Sequence, residues 1–247
     1  ADYHNVLLRR LHKLRKRLHA EDAGLRTYGA VDFGPVAEKP WAQRAGLGWI
    51  GKNGCLVTRT HGSWVLLASL ILDREVAPYD TPHENFCGSC SRCLDACPTD
   101  AFPRPYVVDS RRCISYQTIE NRGAVPDELK SGTSRWFFGC DDCQEVCPWN
   151  LRFARPTDEP RFHPREEGLY HVPLARLLDM SEETYRERSR GTPLARPKHH
   201  GMLRNALLAA GESGAPELEE ACRVHLEHPH PAVRDAAAWA LARLRSA

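Results

Sequence analysis

The chain has 247 residues, 42% of them hydrophobic and 27% charged, with a formal net charge of +2. That composition excludes a disordered tail, a collagen-like chain and a coiled coil, and the length suits one or two domains, each with a real core. No apolar run reaches the ~18 residues of a membrane span, and the longest, Trp64–Leu72, is about half that, so no membrane partner is expected.

Residues 3–20 predict a helix: Leu7, Leu11, Leu14 and Leu18 recur at helical spacing, and Asp2 stands where an N-cap belongs. The other face carries Arg9, Arg10, Lys13, Arg15, Lys16 and Arg17 and reads as a solvated face. Residues 21–40 read as loop with short extended pieces, Trp41–Ala45 as a helix, and the stretch to Gly54 as a glycine-rich turn. Cys55–Thr58 and Ser63–Asp73 read as two strands about a turn at His61–Gly62, the second buried on both faces. Pro78–Pro82 marks a boundary. From there to Pro164 the segments are short and punctuated by cysteine. Beyond about residue 166 the pattern is helical, with Met202–Ala210, Pro216–Glu227 and Pro231–Arg243 amphipathic and the last like a HEAT-type repeat helix.

Gly46, Gly48 and Gly51 spell GxGxxG, yet they follow a helix and lead into a strand, the reverse of a dinucleotide loop. Lys52 makes the same stretch a near P-loop, but Asn53 stands where the metal-binding hydroxyl should be. A tight turn, or close approach of backbone to a bulky ligand, is what such glycines permit.

Eight of the ten cysteines fall between Cys87 and Cys147. A chain that buries a large core needs no staples, so clustered thiols point to a metal centre in a reducing, cytoplasmic setting. Cys87, Cys90, Cys93 and Cys97 follow the bacterial ferredoxin spacing and end at Pro98. Cys140, Cys143 and Cys147, ending at Pro148, form a second array, with Cys113 as its fourth thiol. The fourth cysteine of such a run ligates the other cluster. One 4Fe–4S cluster is therefore expected on Cys87, Cys90, Cys93 and Cys147, and a second on Cys97, Cys113, Cys140 and Cys143. Zinc is the alternative, but CxxCxxC holds one thiol too many for paired tetrahedral ligation. Cys55 and Cys222 read as small buried hydrophobes. Two clusters make an electron path.

The motifs Asp2–His4 (DYH), Trp41–Gly54 (WAQRAGLGWIGKNG), the ferredoxin run, Arg111–Glu120 (RRCISYQTIE) and Gly139–Asn150 (GCDDCQEVCPWN), with LRNALLAAG in the tail, closely resemble the epoxyqueuosine reductases. The resemblance covers nearly the whole chain. It implies a further stretch, roughly a hundred residues, ahead of Asp2; the chain opens at Ala1 with no initiator Met. It implies an oxidoreductase that reduces epoxyqueuosine to queuosine at the tRNA wobble position, with electrons passing from an external low-potential donor through two 4Fe–4S clusters to cobalamin. Asp2 then becomes the proton donor, although a helix N-terminus favours its anion. Gly46, Gly48, Gly51, Lys52, Asn53 and Ser115 become candidate cobalamin contacts. The basic run 186–204, with Arg188, Arg190, Arg196, Lys198 and Arg204, becomes the candidate tRNA surface, since phosphate contacts supply most affinity. A cobalamin-dependent reductive dehalogenase and a two-cluster ferredoxin-type carrier are the competing readings. The fold class expected is α+β in three segments: 1–82, the C-terminal half of an α/β cobalamin-binding domain; 83–165, a ferredoxin-like two-cluster domain; and 166–247, a helical HEAT-like cap. A monomer is expected.

Overall fold

The computed structural model describes residues 1–164 and 172–246. The chain packs as two compact units interleaved in sequence. The first comprises Ala1–Ala96, Arg104–Val107 and Asp142–His163; the second comprises Cys97–Pro103, Val108–Asp141 and Pro164–Ala247. Packing thus divides the chain differently from the three expected segments. The 82/83 boundary falls inside the first unit, the cysteine-rich stretch is shared between units, and the 165/166 boundary lies outside the described residues.

In the first unit, helix α1 (Tyr3–Glu21) starts as expected: the Asp2 carboxylate accepts the His4 N–H at 2.9 Å. Its buried face is Val6 and Leu11, whereas Leu14 is exposed, so the leucine stripe is only partly the packing face. Strand β1 (Thr27–Ala30) packs against α1. Helix α2 (Glu38–Arg44) takes Pro40 in its first turn, where a missing N–H costs little. It ends at Gly46, whose φ of +66° suits a left-handed stop. Strands β2 (Trp49–Ile50) and β3 (Leu56–Val57) pair antiparallel, and β4 (Ser69–Leu72) pairs antiparallel with β1, Thr27 opposite Leu72. The expected hairpin between residues 55–58 and 63–73 is therefore corrected. Only Thr58 and Gly62 bridge there, and each strand finds an earlier partner. The second strand is also shorter than expected and is not buried on both faces, because a two-stranded ribbon covers neither face of β4; Trp64, Leu66 and Ile71 are exposed.

Helix α3 (Arg92–Asp95) follows the first cysteines, and α4 (Ile114–Ile119) and α5 (Asp127–Thr133) belong to the second unit. Helices α6 (Asp142–Glu145) and α7 (Pro148–Phe153) return to the first. The second unit continues with α8 (Leu174–Leu178), α9 (Glu182–Ser189), α10 (Lys198–Glu212), α11 (Glu219–Arg223) and α12 (Pro231–Ser246). Its core is the α10–α12 contact, where Ala206, Leu207, Ala236, Ala237 and Ala240 are buried; small side chains let the axes approach. The result is a mixed helix and strand fold. Among the described residues no helix is long and apolar enough to cross a membrane.

Residues 142–163 are held to α1 partly by Glu159. Its carboxylate accepts Arg161 Nε at 2.7 Å and Nη2 at 2.9 Å, and also pairs with Arg10. The Arg161 hydrogen bonds, with help from Arg10, hold this carboxyl down at about 2 against the opposing pull of burial. A carboxyl lowered by folding stabilises fully above its ordinary value and loses that contribution as pH falls through the folded value. Glu159→Gln is thus expected to lower the melting temperature at pH 7. The difference from wild type should close as pH falls from about 4.5 to about 2 in thermal melts; a constant difference would contradict the assignment.

Candidate functional site

The first cysteine array is built on a turn and a short helix. Cys87 N–H is accepted by Asn85 Oδ1 at 2.9 Å, Cys90 N–H by the Cys87 carbonyl at 3.1 Å, and Cys93 rides on α3. Cys147 immediately precedes α7, with Pro148 at the first helical position. What joins these distant stretches is aromatic packing. Trp49 is 0% exposed. Its ring lies 5.3 Å from Phe86 and 4.8 Å from Trp149, both edge to face. Phe86 adjoins Cys87 and Trp149 lies two residues past Cys147, so one buried indole gathers both ends of the cysteine region.

Cys87, Cys90, Cys93 and Cys147, expected to share a cluster, all belong to the first unit. Burial first, then the neighbouring Cys87, Cys147 and Cys90, push the Cys93 thiol up to about 11. All ten cysteines lie among the described residues and none is in a disulfide. Among the described residues no three His, Cys, Asp or Glu side chains group as ligands of a single ion. Of the other four expected ligands, Cys97, Cys113 and Cys140 belong to the second unit and Cys143 to the first. Cys97 Sγ accepts the Ala101 N–H at 3.3 Å. Cys222 is buried as expected, and burial pushes its thiol up to about 11.

The candidate cobalamin contacts have close neighbours within the chain. Each glycine's missing side chain is explained by the chain itself: a Cβ on Gly48 would lie 2.1 Å from the Val57 carbonyl oxygen, on Gly46 2.8 Å from that of Thr81, and on Gly51 2.9 Å from Asn53 Oδ1. Lys52 Nζ donates to the carbonyls of Gly88 at 2.8 Å and Cys90 at 2.9 Å. Asn53 is buried and its Nδ2 donates to the Cys143 carbonyl at 3.2 Å. These five residues serve a hairpin that grips the cysteine loops. Ser115 is half-buried on α4.

Asp2 sits at the start of α1 in a constellation that composition did not reveal. Its Oδ1 lies 2.7 Å from His4 Nδ1, and the two side chains are only 16% and 17% exposed. Tyr3 stacks on His4 with ring centroids 4.1 Å apart, and its hydroxyl donates to Asp32. His4 had the look of an ordinary helix histidine; its i+2 spacing from a capping aspartate was the available signal.

On the candidate tRNA surface, Arg188, Arg190 and Lys198 are exposed, while Arg196 is half-buried and stands 3.7 Å from Glu120. Arg204 is corrected: it is 1% exposed. Its guanidinium donates to the carbonyls of Asn121 at 2.8 Å and Gly123 at 2.7 Å, and to that of Gln117. Helix α10 turns it inward, so a basic run in sequence is not continuous on the surface. Burial, with Arg122 nearby, brings Arg204 down to about 10, so it stays charged at neutral pH.

A family profile described as "4Fe-4S double cluster binding domain" matches residues 86–150. The epoxyqueuosine reductase of Xanthomonas campestris is 42% identical over 98% of this chain and 68% of its own. That of Pseudomonas aeruginosa is 45% identical over 98% of this chain and 67% of its own. The chain belongs to the epoxyqueuosine reductase family. It spans about two thirds of the length of these relatives. A crystal structure of an epoxyqueuosine reductase with an epoxyqueuosine-modified tRNA-Tyr stem loop superposes with a TM-score of 0.92 at 33% identity, covering 98% of this chain and 64% of that one. The epoxyqueuosine reductase of Streptococcus thermophilus superposes with a TM-score of 0.89 at 29% identity, covering 100% of this chain and 65% of that one. As in its family, the chain carries a 4Fe–4S binding region.

If Trp49 gathers the cysteine region, Trp49→Ala should destabilise the protein by about 3–5 kcal/mol in denaturant titrations and reduce bound iron. Trp64→Ala, at an exposed ring, should change stability by less than ~0.5 kcal/mol. Full iron retention in Trp49→Ala would contradict that role.

Proposed function

We propose that the protein containing this chain reduces epoxyqueuosine in tRNA to queuosine. The carrying observation is 42–45% identity to epoxyqueuosine reductases over 98% of the chain, together with the double-cluster match over residues 86–150 that spans the cysteine run. Two electrons and two protons convert the epoxide to an alkene, with its oxygen leaving as water. Bound to these thiolates, a 4Fe–4S cluster supplies electrons singly. A second cluster on Cys97, Cys113, Cys140 and Cys143 rests on their spacing, and an external low-potential donor must refill both. Cobalamin is proposed from the family likeness alone. Gly46, Gly48, Gly51, Lys52, Asn53 and Ser115 are its candidate contacts.

The chain's own contribution is protonation and grip. Asp2 is the acid for the departing oxygen, and His4, against its carboxylate, orients it and can return its proton. In a relative from Bacillus subtilis, 33% identical, a catalytic aspartate loop is swung out of the active site; a mobile acid of that kind fits Asp2. Arg188, Arg190 and Lys198 face solvent and are proposed to meet tRNA phosphates, which would let a splayed base reach the site. Residues 166–247 are proposed as the HEAT-like tRNA-binding part, 83–165 as the ferredoxin-like two-cluster domain, and 1–82 as part of the cobalamin-binding catalytic domain.

Asp2→Asn is expected to slow turnover of epoxyqueuosine tRNA by about 10²–10⁴-fold with cluster spectra and tRNA affinity unchanged; near-normal turnover would remove Asp2 from the role. Arg188→Ala and Arg190→Ala should each weaken tRNA binding and lower the salt slope by ~1. Arg204→Ala should lower the melting temperature instead, and a slope change without that loss would contradict its buried assignment.

A further inference from the structure

The hairpin of β2 and β3 closes through Gly51–Cys55, with Gly51 N–H donating to the Cys55 carbonyl at 2.8 Å. Its tip holds two adjacent polar residues that face different cysteine loops. Lys52 reaches the Gly88 and Cys90 carbonyls; Asn53, through Nδ2, reaches that of Cys143. Asn85 adds a third tie, donating to the Ile50 carbonyl at 3.2 Å while accepting the Cys87 N–H. The Cys87–Cys90 loop and Cys143 are therefore pinned to one small ribbon within the first unit. Neither contact of the Lys52 ammonium is a carboxylate: both are neutral carbonyls of the cysteine loop itself, so its charge is not cancelled there.

We propose that Lys52 is a positioning residue for the iron–sulfur centre on Cys87, Cys90, Cys93 and Cys147, fixing the Cys87–Cys90 loop and raising the centre's reduction potential. The proposal deepens the cluster reading and rests on it. A four-iron centre on four thiolates is an anion that gains one more negative charge on reduction. A fixed ammonium beside its ligand loop favours the more negative form. Asn53 supplies hydrogen bonding without charge, so the electrostatic part falls to Lys52. In the sequence this residue mimics a P-loop lysine, but its partners here are protein carbonyls.

The test uses the full-length protein with clusters assembled, comparing wild type, Lys52→Met and Lys52→Arg by iron and sulfide analysis and EPR-monitored redox titration. Lys52→Met should move one cluster signal to lower potential and leave any other in place. Alternatively it loses that centre, with iron falling to about half of wild type. Lys52→Arg should keep wild-type iron and potential. Wild-type iron with unmoved potentials in Lys52→Met overturns the proposal. So does loss of all clusters together, which marks a general folding role, or a Lys52→Arg protein as defective as Lys52→Met. Zinc, or no cluster signal, in the wild type overturns the cluster reading itself.

Discussion

Cysteine thiols that ligate one centre must be brought together although their charged forms repel, and the four proposed to share one here come from both ends of a stretch running from Cys87 to Cys147. Local turns can gather Cys87, Cys90 and Cys93. Only a tertiary contact can bring back Cys147. The buried Trp49 ring provides it by packing against Phe86 and Trp149, each beside an end of that stretch. Apolar packing thus supplies the force that opposes thiolate repulsion.

Polar side chains then fix what packing gathers. In the first unit, Lys52 and Asn53 donate to carbonyls of the cysteine loops. In the second, Arg204 and Asn205 do likewise: Arg204 holds carbonyls at the end of α4, which follows Cys113, and Asn205 Nδ2 donates to those of Thr118 at 2.8 Å and Phe137 at 2.9 Å, shortly before Cys140. A cation followed by an asparagine recurs because turns and helix ends leave carbonyls without helix or sheet partners, and buried carbonyls require donors. Lysine and arginine offer several donors from one side chain.

The cysteine arrays were legible because their spacing is set by local turn geometry, and the capping role of Asp2 because it is local too. The tail helices were legible from periodicity. The β2–β3 hairpin was missed although Asn53–Gly54 is a strong hairpin signal; the glycines around it drew the reading towards a ligand. Their close neighbours are Val57 and Thr81, which no spacing rule could disclose. Arg204 looked like part of a surface run because charge in sequence says nothing of which way a helix face turns. The strand partner of β4 failed for a related reason: a nearby turn competes with long-range pairing, and here the long-range pairing with β1 prevails, while β3 closes the local hairpin with β2.

The central claim is that this cysteine region assembles two four-iron centres, with Cys147 completing the first. Metal and labile-sulfide content of the full-length protein, purified without oxygen, tests it most directly. About eight irons and as many sulfides per chain are predicted, with negligible zinc. Stoichiometric zinc, or no more than about four irons in fully assembled protein, would contradict it.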